Sequence, residues 1–453
     1  MTQNDLAHMS REELIELALE LHAEVEALRM KLEKGKKPPT NSSNSSQPPS
    51  RDHKGNKPVE RKKRKHGSPA GHAKKGCEMV AQADRVIEIK PKECHICQTN
   101  LSQEPMVLKN INQITELPVA KAEVIEVRQY AVDCPCCGRE QIEAAPAGLE
   151  MGRSFGARLE ATVVYYRQEQ HMSYARTEAA LYNLHGVEIS QGGIDKIMQR
   201  AAQKARQEVK PIAQTIQHSA VIYCDETSSR VDGQNWWHWV FCSMNAILHV
   251  VRFNRSVDVI KDVMNGGQAD AWVSDCWPPQ LKAPAHQRQL CMAHQLRNLQ
   301  AVVELYPQSS WASRTQFLFR YAIHLHHQRE RLPTDEFFGK VQQVERVLNR
   351  LLQRPCEQPQ IHKLQHRYQK YRDAIFLFLY RSDVSPTNNL SEQHLRPSVI
   401  HRKVTGGFRS GWGAQGYAAL KSIIDTAALS GITPFFTIQN LCGSPSLPIP
   451  IGV

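Results

Sequence analysis

The stretch VIYCDET, at residues 221–227, is a short apolar run that ends in two adjacent acids. A run of this length is typical of a buried β-strand. A second run, AWVSD at residues 271–275, has the same form and also ends in an aspartate. We therefore predict two buried strands, each with an acid where the strand ends. We expect those two acids, Asp225 and Asp275, to converge.

Two further strands and a helix are predicted between these runs. Residues 236–242 and 247–252 are rich in aromatic and aliphatic side chains, which strands favour. Ser256 then stands where a helix N-cap is expected, before apolar residues spaced for one helix face. Three strands, a helix and a returning strand is the order of a ribonuclease H-like fold, in which the first and the returning strand are neighbours. We predict a multidomain α/β protein whose residues 216–453 form a ribonuclease H-like domain, with a helical insertion at about residues 300–382.

A third acid is predicted on a helix far along the chain. The stretch NNLSE, at residues 388–392, follows Ser385-Pro386, a pair typical of an N-cap and a first helical residue. We expect this helix to end at Pro397. Residues three or four apart share a helix face. The amides before Glu392 and the guanidinium of Arg396 should therefore flank its carboxylate.

These three acids predict a metal site. Converging carboxylates repel each other unless divalent cations lie between them, and two Mg²⁺ or Mn²⁺ ions about 3.5–4 Å apart are the economical solution. We interpret Asp225, Asp275 and Glu392 as the catalytic acids and the ligands of both ions, in phosphoryl transfer on nucleic acid. An aspartate after a strand is also common as a turn former or a helix cap. Glu226 competes with Asp225, because alternation along a strand lets only one of them face the site.

The charge balance of the chain indicates a polyanionic partner. The 453 residues carry a formal net charge of +12, which fits nucleic acid but does not distinguish DNA from RNA. No run is apolar and long enough to span a bilayer, so we expect no membrane role. We predict a basic helix over residues 286–297 that contacts phosphates. The predicted DNA-binding side chains are Lys62, Lys63, Arg64, Arg297, Arg396, Arg402 and Lys403.

Three segments before the catalytic domain have alternative interpretations. Residues 1–36 show a leucine seam, which predicts either a dimerising coiled coil or one amphipathic helix docked on its own chain. Residues 37–76 are polar and then basic, so they form either a disordered arm that binds phosphates or a solvated linker. Residues 151–215 look helical, with Ser173 and Ser190 as N-caps. This pattern suits a helix-turn-helix DNA-binding segment and equally a plain helical bundle.

The remaining segment, residues 77–150, carries two C-x-x-C pairs. Each tight turn presents two sulfurs to one ion, and four thiolates suit a tetrahedral zinc ion. Such a zinc would be structural, because four protein ligands leave no position for water. Cys136 is an alternative to Cys134, whereas Cys77 and His95 are weaker candidates, and buried reduced cysteines are the other interpretation. The predicted zinc ligands are Cys94, Cys97, Cys134 and Cys137.

Together these motifs resemble those of the transposases of the insertion-sequence 66 family, within the wider DDE group. The resemblance covers nearly the whole chain, from the leucine-rich first helix to the region between Gly411 and Thr426. No single motif is specific, but their combination is. The motifs are NSS at 41–43, QPPS at 47–50, ELP at 116–118 between the cysteine pairs, DET at 225–227, SD at 274–275, CMAH at 291–294 and NNLSE at 388–392.

The resemblance implies a function. It implies that Asp225, Asp275 and Glu392 are an acidic triad that uses two magnesium ions to cut the ends of a transposon and join the 3′-hydroxyl to target DNA. It also implies double-stranded DNA as substrate, a homo-oligomer, accessory proteins of the element as candidate partners, and a bacterial cytoplasm in contact with the nucleoid. The alternatives are a ribonuclease H-like nuclease that only hydrolyses, and a catalytically inactive, zinc-dependent DNA-binding remnant.

Overall fold

A computed structural model describes residues 79–117, 121–146 and 148–443 of the chain. The segments predicted as a coiled coil (1–36) and as a basic linker (37–76) lie outside the described residues, and so do Lys62, Lys63, Arg64 and Cys77. None of the helices within the described ranges is both long and apolar enough to cross a membrane.

The strands form a small and a large sheet. The small one pairs β1 (Ala131–Asp133) with β2 (Glu140–Ile142) in antiparallel fashion. The strands of the large one are β3 (Val221–Val231), β4 (Gln234–Cys242), β5 (Ile247–Arg252), β6 (Ala269–Ser274) and β7 (Ala285–Leu290). Their order is β5-β4-β3-β6-β7. The first three are antiparallel neighbours, whereas β6 runs parallel to β3 and β7 parallel to β6.

Helices lie before, between and after these strands. Three precede the large sheet, one connects β5 to β6, and the others follow β7. In chain order they are α1 (Ala157–Gln168), α2 (Tyr174–His185), α3 (Gln191–Gln217), α4 (Val257–Met264), α5 (Met292–Leu305), α6 (Ser310–His327), α7 (Thr334–Gln353), α8 (Pro359–Lys370), α9 (Leu377–Tyr380), α10 (Asn389–Thr405), α11 (Gly411–Leu429) and α12 (Pro434–Gly443). The predicted N-caps of α2 and α3, Ser173 and Ser190, are confirmed by their side-chain hydrogen bonds.

The large sheet has an apolar core on each of its faces. Alternate residues of β3 divide between them: Val221 and Tyr223 pack with helices α5 to α9, and Ile222 and Cys224 pack with α1 to α4 and with α11 and α12. Both faces of the strand are buried. This is why the sequence shows a continuous apolar run here instead of an alternation of apolar and polar residues.

The predicted adjacency of the first and the returning strand is confirmed. β3 and β6 are parallel neighbours, and their pairing ends where Tyr223 lies opposite Val273. The position of Asp225 in its strand was predicted wrongly, because β3 continues beyond it to Val231. The extra length pairs with β4 in a long hairpin. What ends just before Asp225 is the pairing with β6, not the strand.

The basic helix predicted over residues 286–297 is a strand in its first half. β7 occupies that half, and α5 begins only at Met292. The strand was hidden in the sequence because four of its six residues, AHQRQL, are polar. Gln289 is nevertheless buried, and its amide makes three hydrogen bonds, one of them to the carbonyl of Leu290 (2.7 Å). It donates to the carbonyl of Ile375 (2.9 Å) and accepts from the N–H of Phe378 (3.2 Å).

The helix that carries Glu392 begins and ends later than predicted. Asn388 is its N-cap, because Ser385-Pro386 is held in the preceding loop. There the Ser385 N–H donates to the hydroxyl of Tyr223 (2.9 Å), and the Pro386 carbonyl accepts the N–H of Met292 (2.9 Å). Pro397 lies inside α10 and does not end it. A proline removes one helical hydrogen bond, and the packing of α10 against β3 and β4 compensates for that loss.

Candidate active site

Two aspartates lie where β3 and β6 separate. The last paired positions of the two strands are Tyr223 and Val273. Asp225 and Asp275 each lie two residues further along the chain. The carboxylate of Asp225 accepts the N–H of Glu226 (2.9 Å), and that of Asp275 accepts a backbone N–H two residues further on (2.9 Å). The parallel register therefore brings both predicted acids to the same edge of the sheet.

The first turn of α10 is attached to this edge. The buried side chain of Asn388 donates to the carbonyl of Cys224 (2.8 Å), the residue before Asp225. The backbone N–H of Asn388 also contacts the sulfur of Cys291, at the start of α5 (3.2 Å). Glu392 lies one helical turn after Asn388 and is fixed relative to β3 by these contacts. Asp225, Asp275 and Glu392 are called the acid pocket below.

The charges of the acid pocket act on one another. The pKa of Asp225 is raised well above its ordinary value, first by burial and then by the negative charges of Glu226, Asp275 and Glu392. A carboxyl group in such a place holds its proton at a higher pH than usual unless positive charge is brought near. The arrangement therefore favours the binding of cations.

The neighbouring acid, Glu226, already has partners. Arg255 lies 2.7 Å from one of its oxygens, and the amide of Gln280 donates to the other (2.7 Å). Burial, and then the charge of Asp275, still raise the pKa of Glu226. Among the described residues, Asp225 has no such ion pair. Of the two competing acids, Asp225 is therefore the one whose charge remains to be compensated.

Glu392 has one loosely placed cation beside it. A terminal nitrogen of Arg297 lies 3.5 Å from its Oε1, and Nδ1 of His294 lies 3.7 Å from the same oxygen. Burial and then the charge of Arg297 lower the pKa of His294 to about 4, so this imidazole is neutral at neutral pH. Arg396, which was predicted to flank Glu392, is exposed instead.

A second buried acid lies on the other side of α10. Asp425, on α11, accepts hydrogen bonds from His249 (3.0 Å) and His394 (2.8 Å), and Lys421 lies 2.9 Å from its other oxygen. His249 in turn contacts His238 (3.0 Å). Burial opposes ionisation of Asp425, but the hydrogen bonds from both histidines and the charge of Lys421 outweigh it and lower its pKa. These five residues are called the histidine network below.

The histidine network was not predicted from the sequence. Its members come from β4, β5, α10 and α11, and His249 and Asp425 are 176 residues apart in the chain. One local signal was available: Lys421 and Asp425 are four residues apart in an otherwise apolar helix, which is the spacing of a helical ion pair. Arg255 and Gln280, the partners of Glu226, were missed as well.

The donor atoms of the acid pocket suit hard divalent cations. Carboxylate oxygens are the ligands that Mg²⁺ and Mn²⁺ prefer. The described residues contain two other groups of three donor atoms within 4.8 Å of one another, and Asp225 and Asp275 belong to neither. The three carboxylates of the acid pocket do not form such a group among the described residues. Asn388 Oδ1, buried beside the pocket, has no hydrogen-bond partner among the described atoms.

The predicted DNA-binding residues in the described part of the chain lie in different surroundings. Arg297 contacts Glu392 inside the pocket, and Arg396 is exposed on α10. Arg402, in the last turn of α10, donates to the backbone carbonyl and the hydroxyl of Ser228 on β3. Lys403 follows it on the surface.

The two cysteine pairs adopt the same turn. Cys94 and Cys134 each donate their N–H to the residue five positions on (2.9 Å in both) and accept an N–H from the residue four positions on (2.9 and 2.8 Å). Each turn places its second thiol, that of Cys97 or Cys137, against the first. Within the described segments, the four sulfurs do not form one group within 4.8 Å.

Comparison with known proteins identifies the family. The family model described as Transposase IS66 family matches residues 152–416, more than half of the chain. The chain belongs to the IS66 transposase family. A search of curated proteins gives no match. The matched range contains the large sheet, the acid pocket and the three histidines of the histidine network, whereas Lys421 and Asp425 lie beyond its end. Membership of this family implies a DNA substrate and a role in transposition.

Proposed function

We propose that this member of the IS66 family cuts DNA at the ends of its element and transfers the resulting 3′-hydroxyl to target DNA. The observation that carries the proposal is the edge where β3 and β6 separate. There two aspartates follow a parallel register, and Glu392 is attached to the same strand through Asn388. A ribonuclease H-like arrangement of the large sheet accords with this order of strands.

The acid pocket is proposed to hold two Mg²⁺ or Mn²⁺ ions, through Asp225, Asp275 and Glu392. When bound, such ions polarise the phosphate and stabilise the entering and leaving oxygens. The protein residues orient the acids. The backbone N–H groups at Glu226 and Trp277 hold the two aspartates. Arg297, close to Glu392, would keep this carboxylate turned into the pocket.

Positive charge around the pocket supports a nucleic-acid substrate. Arg255 and Arg367 both act on Asp275, where their charges reduce the rise in its pKa that burial causes. Arg255 lies over the rings of Trp237 and Trp277, 4.5 and 4.0 Å from their centres. Guanidinium groups are well suited to phosphate oxygens. We propose that they contact the phosphates beside the bond that is cut.

The segments outside this pocket have proposed roles in holding DNA. The cysteine turns are proposed to share one structural zinc ion through Cys94, Cys97, Cys134 and Cys137. Helices α2 and α3, joined by a turn in which Gly186 has a φ of 65°, are a candidate helix-turn-helix. Because two DNA ends must be held together, we propose at least a dimer on DNA.

The test uses purified full-length protein and labelled DNA from the ends of the element. With Mg²⁺, we expect nicked ends and joined strand-transfer products. Asp225→Asn, Asp275→Asn and Glu392→Gln should each reduce both by at least about 10³-fold, because residues that act as one unit fail together. Asp383→Asn, at an exposed ion pair with Arg381, is the matched control and should retain activity.

Two outcomes would contradict the proposal. Cleavage that persists in all three acid variants would remove the catalytic assignment. Nicking by the wild type without any joined product, at several target concentrations, would indicate a nuclease that only hydrolyses.

A further inference from the structure

Two groups of potential metal ligands occur in the described part of the chain. One consists of His249, His394 and Asp425, and the other of Cys291, His294 and Glu392. In the first group the donor atoms are 2.8–3.0 Å apart, which is hydrogen-bond distance, and Lys421 already compensates the carboxylate. That group is a closed hydrogen-bond network and has no need of an ion.

The second group has a different geometry. Nδ1 of His294 and Oε1 of Glu392 are 3.7 Å apart, which is too far for a hydrogen bond. Nδ1 of His294 is buried and has no hydrogen-bond partner among the described atoms. Two ligand atoms of a tetrahedral zinc ion, each at about 2.1 Å from it, lie roughly 3.4 Å apart. The observed separation fits two atoms that share an ion.

The chain brings this group together rigidly. Cys291 is the N-cap of α5, and His294 lies three residues later in its first turn. Glu392 comes from the first turn of α10, and the two helix starts are joined by hydrogen bonds from Asn388 to Cys291 (3.2 Å) and from Met292 to the chain before α10 (2.9 Å). A cysteine, a histidine and a carboxylate are therefore held facing one another by two helix ends.

We propose that Cys291, His294 and Glu392 form a binding site for one thiophilic divalent ion, such as Zn²⁺. Thiolate and imidazole ligands select such ions, whereas the all-carboxylate pair Asp225 and Asp275 selects Mg²⁺ or Mn²⁺. Three protein ligands leave the fourth tetrahedral position to water. Binding of the ion displaces the proton of the Cys291 thiol, which passes to solvent.

Arg297 does not prevent this binding. Its nitrogen is 3.5 Å from Glu392 Oε1, and a carboxylate has a second oxygen that can accept from a guanidinium. The consequence for activity rests on the proposed function. A zinc ion that engages Glu392 withdraws it from the acid pocket, so zinc in excess of the structural site inhibits DNA cleavage in the presence of Mg²⁺.

Binding is tested with Co²⁺ as a spectroscopic probe on the full chain, freed of metal by chelation. Wild type should bind one more ion with thiolate-to-cobalt absorption than Cys291→Ser. Cys356→Ser, at a half-buried thiol that contacts Gln365, is the matched control and should equal wild type. His294→Gln should weaken the same binding step at least about 10-fold, since loss even of an outer partner of a ligand costs that much.

Equal stoichiometry and affinity in wild type, Cys291→Ser and His294→Gln would overturn the inference. Should Cys291→Ser fail to fold, the comparison of His294→Gln with wild type decides alone.

A second experiment tests inhibition. It measures DNA cleavage at fixed Mg²⁺ and rising Zn²⁺ concentrations, and the rate of each protein is expressed relative to its own rate without zinc. Inhibition should need at least about 10-fold more zinc in Cys291→Ser than in wild type. Cobalt binding without any Mg²⁺-dependent cleavage would refute the proposed function and leave the site standing, whereas cleavage equally sensitive to zinc in both proteins would refute the site's role.

Discussion

Helix α10 separates two groups of acids that differ in their partners. Glu392 and His394 are two residues apart, so they project from nearly opposite sides of the helix. On one side, Asp425 of the histidine network is held by two imidazoles and by Lys421. On the other side, Asp225 of the acid pocket has carboxylates as its charged neighbours. The pKa of Asp425 is lowered and that of Asp225 is raised, although burial acts to raise both.

This difference in partners distinguishes an acid that stabilises the fold from an acid that is available to bind a ligand. A buried acid with bound cations holds elements together, and here it ties β5, α10 and α11 to one another. A buried acid among other acids destabilises the fold, and it is expected where a site needs cations from solution. The histidine network therefore fixes the helix from which Glu392 reaches the acid pocket.

The largest effect on stability is expected from the histidine network. Asp425→Ala leaves two imidazole N–H groups without their acceptor and leaves Lys421 with Glu169 as its remaining acidic partner (3.1 Å). Removal of one partner from a buried ion pair costs up to about 3–5 kcal/mol. We expect the free energy of unfolding, measured by chemical denaturation, to fall by this amount. Asp383→Asn breaks an exposed pair with Arg381 and should cost less than about 1 kcal/mol. Equal losses of stability in the two variants would contradict the conclusion that the histidine network stabilises the fold more than an exposed ion pair does.

A smaller effect is expected when Mg²⁺ binds the acid pocket. At a concentration 100 times the dissociation constant, a bound ion adds about 2.7 kcal/mol to the free energy of unfolding. Wild type and Asp425→Ala should both gain from Mg²⁺ in thermal melts, each relative to its own metal-free state. Asp225→Asn should gain much less. Stabilisation of Asp225→Asn equal to that of wild type would place the ions elsewhere.

The last effect is the pH dependence contributed by Asp225. Its pKa is raised in the folded state, so its contribution to stability is fully present below the ordinary aspartate pKa and is lost as pH rises through the raised value. Without metal, wild type should therefore lose up to about 1.4 kcal/mol per pH unit relative to Asp225→Asn across that window. Melting curves of both proteins at matched pH check this, and parallel curves would contradict it. Asp425, whose pKa is lowered, should lose its contribution only as pH falls below the ordinary range.

The sequence revealed the mainly apolar strands more readily than the mainly polar one. Residues 247–252 were predicted as a strand with the observed limits, because four of the six residues are aliphatic. β7 was not, because its polar Gln289 is satisfied by contacts with residues 86 and 89 positions away. The start of α10 was misplaced because Ser385-Pro386 meets Tyr223 and Met292, which only the folded chain brings near.

The candidate site also depends on contacts that the sequence does not reveal. The three acids could be proposed from short motifs, since each lies in or beside a recognisable element. Their electrostatic surroundings could not be predicted: Arg396 has the right helical spacing from Glu392 but is exposed, and Arg297, from another helix, takes its place. Local spacing predicts which residues share a helix face, but it does not predict which face meets a neighbouring helix.

The most direct measurement is anomalous scattering from Mn²⁺ in crystals of the protein with DNA from the element's ends. The account predicts two manganese peaks about 3.5–4 Å apart, bound by oxygens of Asp225, Asp275 and Glu392 beside the phosphate to be cut. Manganese bound elsewhere, with the carboxylates of Asp225 and Asp275 free of any ion, would contradict it.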